Sequence, residues 1–225
     1  MIVGESTTDL VKDVFSRGID RVAVLMRHSA REYTPGQHDL TNPLTDEGRF
    51  FASALGHRLP AGLCLRGYSS PPGRCMETAQ LIMEAYREDG GDVTRNRPLE
   101  GLGIFYVLDQ RKMWKILDES DGLYNFMELW FQHKIPDGVM IDPDNAAGII
   151  LRMLVDRLND MIRLPQLDIC VSHDMTLYLL RERLLGQGLN EGAVGYLDAI
   201  VAYKINGELW LETALGPPVR ADIFL

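Results

Sequence analysis

At 225 residues, 46% hydrophobic and 24% charged, the chain can bury a core of its own and has the composition of an ordinary globular protein. Its formal net charge of -9 disfavours nucleic acid and anionic membrane as partners, so any anion site must rest on a local cluster of arginines. Three cysteines, Cys64, Cys75 and Cys170, give an odd count with no CxxC pair; Cys64 and Cys170 lie in apolar runs and read as buried free thiols, which suits a reducing compartment.

The first twenty residues carry Glu5, Asp9, Asp13 and Asp20 and no long apolar stretch. They do not read as a signal peptide, no segment reaches the length of a membrane span, and the expected location is cytoplasmic. Residues 8–17 predict a short helix capped by Thr7 or Thr8 and stopped by Gly18. Val22 to Met26 read as a buried strand ending at Arg27-His28. Thr45 starts a helix with Asp46 and Glu47 in its first turn, where the dipole favours acids, and Pro60 ends it. Leu63 to Tyr68 predict a second strand, and a helix follows over about 73–88 with Ala79, Ile82, Met83 and Tyr86 on one face.

Residues 93–99 are a weaker strand. The pattern then changes over 101–143, where two short helices near 109–118 and 123–133 suggest a small insertion over the core of a single domain spanning 1–225. Asp144 is placed to cap a helix running to about Arg163 with Met161 on its apolar stripe. Leu167 to Val171 form the third clear buried strand, ending at Ser172-His173-Asp174, and a helix follows to Leu185. Asn206-Gly207 between two strands signals a hairpin. Strands alternating with helices predict an α/β fold: a three-layer sandwich with a mainly parallel central sheet, helices on both faces and a C-terminal hairpin. Ligands in such folds bind beyond the carboxyl ends of the strands. Three polar clusters meet there.

The first is Arg27-His28-Ser29-Ala30-Arg31. Flanking arginines disfavour imidazolium, so His28 should keep a free lone pair, and neutral imidazole is a good nucleophile toward phosphorus. The second runs from Ser69 to Arg74 and on to Glu77-Thr78-Ala79. Arg74 lies in the first turn of its helix, where the macrodipole opposes a cation unless an anion binds there. The third is Ser172-His173-Asp174: His173 can donate to a phosphate, and Asp174 can protonate a leaving oxygen. His38, His57 and His133 match no part of this pattern, and no metal-ligand spacing such as HExxH is present, so no metal centre is expected.

In order along the chain, these motifs resemble the histidine phosphatase superfamily of phosphoglycerate mutase-like and histidine acid phosphatase-like proteins. The strand into Arg27-His28-Ser29, the helix start Pro43-Leu44-Thr45-Asp46-Glu47-Gly48, the run Ser69 to Ala79, and Ser172 to Asp174 carry the resemblance from Val22 to about Leu211. It implies that His28 is the nucleophile and that Arg27, Arg74 and His173 form the phosphate pocket. Arg31 resembles the extra arginine of the acid-phosphatase branch, which implies Asp174 as proton donor. Glu100 is placed for the same role in the mutase branch; Asp174 is favoured. Ser29 stands where the family usually has glycine, and would narrow the pocket or add a hydroxyl beside the phosphate.

The resemblance implies a metal-independent phosphomonoesterase with no cofactor, passing through phosphohistidine. The alternatives are a phosphoglycerate mutase-like phosphomutase and a non-catalytic phosphate-binding scaffold. Between Gly101 and Asp144 eight acids face four bases. That excess disfavours a polyphosphorylated ligand and points to a small phosphorylated metabolite or a phosphoprotein as the partner. Phe105, Tyr106, Trp114, Trp130 and Phe131 either line the leaving-group side or join the core. A homodimer is compatible with the sequence, and nothing in it decides the point.

Overall fold

The computed structural model describes residues 2–33 and 41–221, so His38 lies outside the described residues. Strands β1 (Arg21–Arg27), β2 (Cys64–Ser69), β3 (Asp92–Pro98) and β4 (Gln166–Ser172) run parallel, and β5 (Ala199–Ile205), β6 (Glu208–Thr213) and β7 (Gly216–Arg220) complete an antiparallel flank. The sheet order is β3-β2-β4-β1-β5-β6-β7. β4, last of the parallel strands in sequence, therefore sits between β1 and β2, and brings its Ser172-His173 end beside both Arg27-His28 and Ser69-Ser70.

Side-chain alternation divides the sheet into two faces. Val22, Val24 and Met26 of β1 pack with Leu65, Leu167, Ile169 and Val171 beneath helices α1 (Glu5–Ser16), α2 (Asp46–Arg58) and α3 (Gly73–Glu88). Ala23, Leu25 and Cys170 face the other way, under α6 (Pro143–Asn159) and α7 (Asp174–Leu184). The short helices α4 (Gln110–Glu119) and α5 (Leu123–Phe131) close that second layer. The three-layer α/β arrangement, the parallel core and the hairpin at Asn206-Gly207, both with positive φ (52° and 86°), follow the sequence reading. All three cysteines are free and buried. Among the described residues no helix is long and apolar enough to cross a membrane.

Three expectations need correction. α1 starts at Gly4 (φ 78°), not at Thr7 or Thr8; both threonines are buried inside the helix, where Thr7 Oγ1 donates to Leu197 O and Thr8 Oγ1 to Glu5 O. Asp142, not Asp144, caps α6: its Oδ1 accepts from the backbone N–H groups of Asp144 (3.0 Å) and Asn145 (3.1 Å), with Pro143 at the first helical position. α6 ends at Asn159, so Met161 is outside its stripe and exposed. Beyond the hairpin, β7 adds an edge strand that contains Pro217 and Pro218, residues an edge tolerates and a central strand would not.

Candidate active site

The site is assembled where the four parallel strands end. β1 delivers Arg27 and His28. The turn after β2 delivers Ser70 and then Arg74 in the first turn of α3. β4 delivers Ser172, followed by His173 as the N-cap of α7 and Asp174 as its first residue. β3 leads into a 3-10 turn, Glu100–Leu102, which Leu99 N→Ser69 O (2.8 Å) and Ser172 Oγ→Leu102 O (2.6 Å) fasten to the same edge.

His28 is 3% exposed. Its Nδ1 lies 2.7 Å from the carbonyl oxygen of Ser29, which can only accept, so Nδ1 carries the ring proton and the lone pair is on Nε2. Arg74 Nε donates to that Nε2 at 3.1 Å. Burial, then the Arg74 cation, then His173 and Arg27, hold the His28 pKa well below its usual value, against the Ser29 carbonyl, which raises it. The ring is therefore neutral near pH 7, with Nε2 as an acceptor. His173 stands edge-on to it, ring centroids 5.6 Å apart.

His173 is held from behind by Ser70, whose Oγ lies 2.9 Å from Nε2. The Cys75 thiol is 3.9 Å from the same nitrogen, and burial pushes that thiol up to about 12, so it packs here as a neutral group. Arg27 is fixed on three sides: Nη2 meets Asp174 Oδ2 at 2.9 Å, Nη1 donates to Val194 O at 2.7 Å, and the guanidinium carbon lies 4.3 Å from the centre of the Tyr196 ring. Its Nε is buried without a hydrogen-bond partner among the described residues. Asp174 Oδ1 accepts from the N–H of Met175 at 2.8 Å, so both its oxygens are occupied as acceptors.

The structure thus brings Arg27, His28, Arg74, His173 and Asp174 together. Glu100 is exposed on the adjoining turn. Arg31 lies three residues past His28, where its backbone bridges Leu44 and its guanidinium donates to Glu32 O at 3.2 Å, toward the rim. The serine that replaces glycine does not put a hydroxyl beside the anion position: Ser29 is fully buried, and its Oγ donates to Gly48 O (2.7 Å), tying the nucleophile segment to α2. Tyr106, Trp130 and Phe131 are buried core residues, so they are not leaving-group contacts; Phe105 is half-buried and Trp114 exposed. The sequence reading missed Tyr196, which stands in the loop between α7 and β5 with its ring centroid 6.0 Å from that of His28. No motif signals it.

Elsewhere, His133, Asp142 and Asp144 bring ligand-type atoms within 4.8 Å of one another, all on exposed residues. Arg183 Nε lies 3.3 Å from Asp144 Oδ1 and already supplies a cation there, and Asp142 is engaged as a helix cap.

The histidine phosphatase resemblance is borne out by comparison with known proteins. Residues 23–96 match the model of the histidine phosphatase superfamily (branch 1), a span that holds His28 and Arg74. Among solved structures, YhfR from Bacillus stearothermophilus matches with a TM-score of 0.58 at 19% identity, covering 87% of this chain and all of that one. A phosphoglycerate mutase from Bacillus anthracis str. Sterne matches with a TM-score of 0.55 at 18% identity, over 88% of this chain and 94% of that one. A phosphoserine phosphatase mutant from Entamoeba histolytica, in complex with phosphoserine, gives 0.55 at 17% identity over 90% and 97%. At these identities the likeness is one of fold. No curated protein matches the chain.

Proposed function

We propose that the chain is a phosphomonoesterase in which His28 Nε2 attacks the phosphorus of a monoester. The observation that carries this is the state of His28: a buried neutral ring, its proton held on Nδ1 by Ser29 O, and its lone pair facing Arg74. The unpartnered Nε of Arg27 supports it, since a phosphate oxygen in the same pocket would satisfy that buried donor.

In the first step the Nε2 lone pair forms the N–P bond as the P–O bond to the leaving group breaks and its electron pair goes to the leaving oxygen. A carboxylic acid donates the proton that oxygen needs. Arg27, Arg74 and His173 stabilise the equatorial oxygens, with Arg31 at the rim. Phosphorylated imidazole keeps its Nδ1–H and carries positive charge, which the Ser29 carbonyl stabilises. In the second step water attacks phosphorus, its proton goes to the same carboxylate, and the N–P electron pair returns to Nε2. No step calls for a metal or cofactor.

For the carboxyl group we favour Glu100 over Asp174, reversing the expectation drawn from the motif. Asp174 is engaged through both oxygens and serves to hold Arg27. Glu100 is exposed on a turn fastened to Ser69 and Ser172, where its carboxyl group is not committed, among the described residues, to an ion pair with the phosphate-binding arginines. Its exposure also favours hydrolysis over phosphoryl transfer back to an organic acceptor. The acid excess of segment 101–144 favours a monophosphate with a neutral, cationic or partly apolar leaving group, or a phosphorylated side chain on a protein.

The test is rapid acid-free quenching during turnover of an aryl phosphate. Acid-labile, base-stable phosphate should appear on the wild-type chain and be absent, with turnover, from a folded His28→Ala protein. Full activity in His28→Ala would overturn the reading.

A further inference from the structure

The loop 192–198 between α7 and β5 is more firmly held than its irregular backbone suggests. Gly195 N donates to Asp198 Oδ2 (2.6 Å), Val194 N to the Tyr178 hydroxyl (3.0 Å), Arg27 N to Asp198 O (3.0 Å), and Thr7 Oγ1 to Leu197 O (2.6 Å). Leu197 adopts a φ of 61°, a strained value for a leucine. The product of this anchoring is the position of Tyr196, half-buried, with Arg27 over its ring face and His28 tilted at 43° beside it. The Tyr196 hydroxyl makes no hydrogen bond among the described residues, so the ring is not placed there by its phenol.

Resting on the phosphatase reading of the site, we propose that Tyr196 is a positioning residue for Arg27. Its ring holds the guanidinium plane in the orientation that presents Arg27 Nε to the phosphoryl group. Asp174 already takes Nη2 at 2.9 Å, and an arginine beside a carboxylate tends to a bidentate fork using two nitrogens. The ring below and Val194 O on Nη1 restrain Arg27 from turning further toward Asp174, and so keep Nε available. A cation over an aromatic face is itself an attractive contact, stronger when shielded from water.

Binding of inorganic phosphate, followed by calorimetry, together with kcat and KM on an aryl phosphate, tests this. Tyr196→Phe keeps the π face and should bind phosphate as the wild type does. Tyr196→Leu keeps bulk without a π face, and should weaken phosphate binding and raise KM by about 2- to 30-fold, with a smaller change in kcat. In an Arg27→Ala background the Tyr196→Leu step should have no further effect on phosphate affinity. A purely structural tyrosine would instead lower the melting temperature and act equally in both backgrounds. Wild-type affinity in a folded Tyr196→Leu protein overturns the proposal, as does a Tyr196→Phe protein as weak as Tyr196→Leu. If the wild type forms phosphohistidine and only these Tyr196 effects fail, the site reading stands and this inference falls alone; if it forms none, both fall.

Discussion

Arg74 Nε donates to His28 Nε2 at 3.1 Å, so the arginine and the substrate's phosphorus compete for one lone pair. The contact aims the imidazole while the pocket is free. When a phosphate dianion arrives, its oxygens are better acceptors than a ring nitrogen, and the guanidinium fork can turn to them and release Nε2. Arg74 sits in the first turn of α3, where the helix dipole adds to the pull on an anion. Lysine keeps the charge and loses the fork. Arg74→Lys is expected to lower kcat/KM by about 10²- to 10³-fold, the cost of removing one oriented donor at a developing charge. Steady-state kinetics on a single aryl phosphate would check it, and a loss under threefold would remove Arg74 from the machinery.

The same burial that keeps His28 neutral has a cost in stability at low pH. Its folded pKa is depressed, so the unfolded chain takes up the proton first, near pH 6.5. The contribution is therefore fully present above that value and is lost as pH falls from there toward the folded pKa. The loss should approach about 1.4 kcal/mol for each pH unit within that window. Urea unfolding of the wild type and of His28→Asn at pH 7.5 and 5.5 isolates the term, because the other titrating groups are common to both. Wild type should lose more stability than the variant on acidification. Equal slopes would mean that His28 titrates normally.

Gly48 explains one motif in packing terms. A Cβ built there would lie 2.0 Å from the carbonyl oxygen of Ala30, two residues from the nucleophile. Thr45 caps the helix by accepting from Gly48 N (2.9 Å), and Ser29 Oγ donates to Gly48 O. Gly48→Ala must push the 28–30 segment or α2 aside. The expected loss is about 1–3 kcal/mol, at about 2–4 °C of melting temperature per kcal/mol, with a fall in kcat from displacement of His28. A thermal melt and one kinetic measurement suffice; an unchanged melting temperature would show that the contact relaxes freely.

Those relationships mark what the sequence could reveal. Arg27, His28, Arg74 and His173 were legible because each follows a strand or opens a helix, and the fold brings every such position to one edge. Thr45 was legible because a side-chain cap is local chemistry. Asp142 was misread as Asp144 because either aspartate precedes a helical pattern, and only the Pro143 position separates them. Tyr196 and the Arg27–Asp174 pair were not legible: both join β1 to residues far along the chain, and Tyr196 does so through a loop whose course depends on tertiary bonds such as Thr7 to Leu197. Tyr106 and Trp130 meet at a 32° tilt with centroids 5.0 Å apart inside the core, which aromatic spacing alone does not distinguish from a substrate wall.

Activity should survive removal of divalent metal. Arg74, and Arg27 through the Nε that its pair with Asp174 leaves open, present oriented guanidinium donors to a phosphate dianion, the stabilisation a metal ion would otherwise supply. Dialysis against EDTA followed by assay should leave the rate within twofold. A rate that vanishes and returns only on adding metal would count against the mechanism.

Leaving-group dependence separates the two carboxylates. A general acid matters in proportion to how badly the leaving oxygen needs a proton. Nitrophenolate leaves readily as an anion, whereas an alkyl alcohol does not. If Glu100 is the donor, Glu100→Gln should slow alkyl phosphates by about 10²- to 10⁴-fold, the usual worth of general acid catalysis, and aryl phosphates far less. Asp174 holds Arg27 through Oδ2, so Asp174→Asn should act differently. It should weaken phosphate binding and slow both ester types by a similar factor, because Arg27 serves the phosphoryl group and not the leaving oxygen. The ratio of kcat/KM for an alkyl and an aryl ester, measured in wild type and both variants, reads this directly. A ratio that collapses in Asp174→Asn and holds in Glu100→Gln would return the donor role to Asp174. The Arg27–Asp174 pair would then have to open during each turnover, since the acid must carry its proton before it can give it.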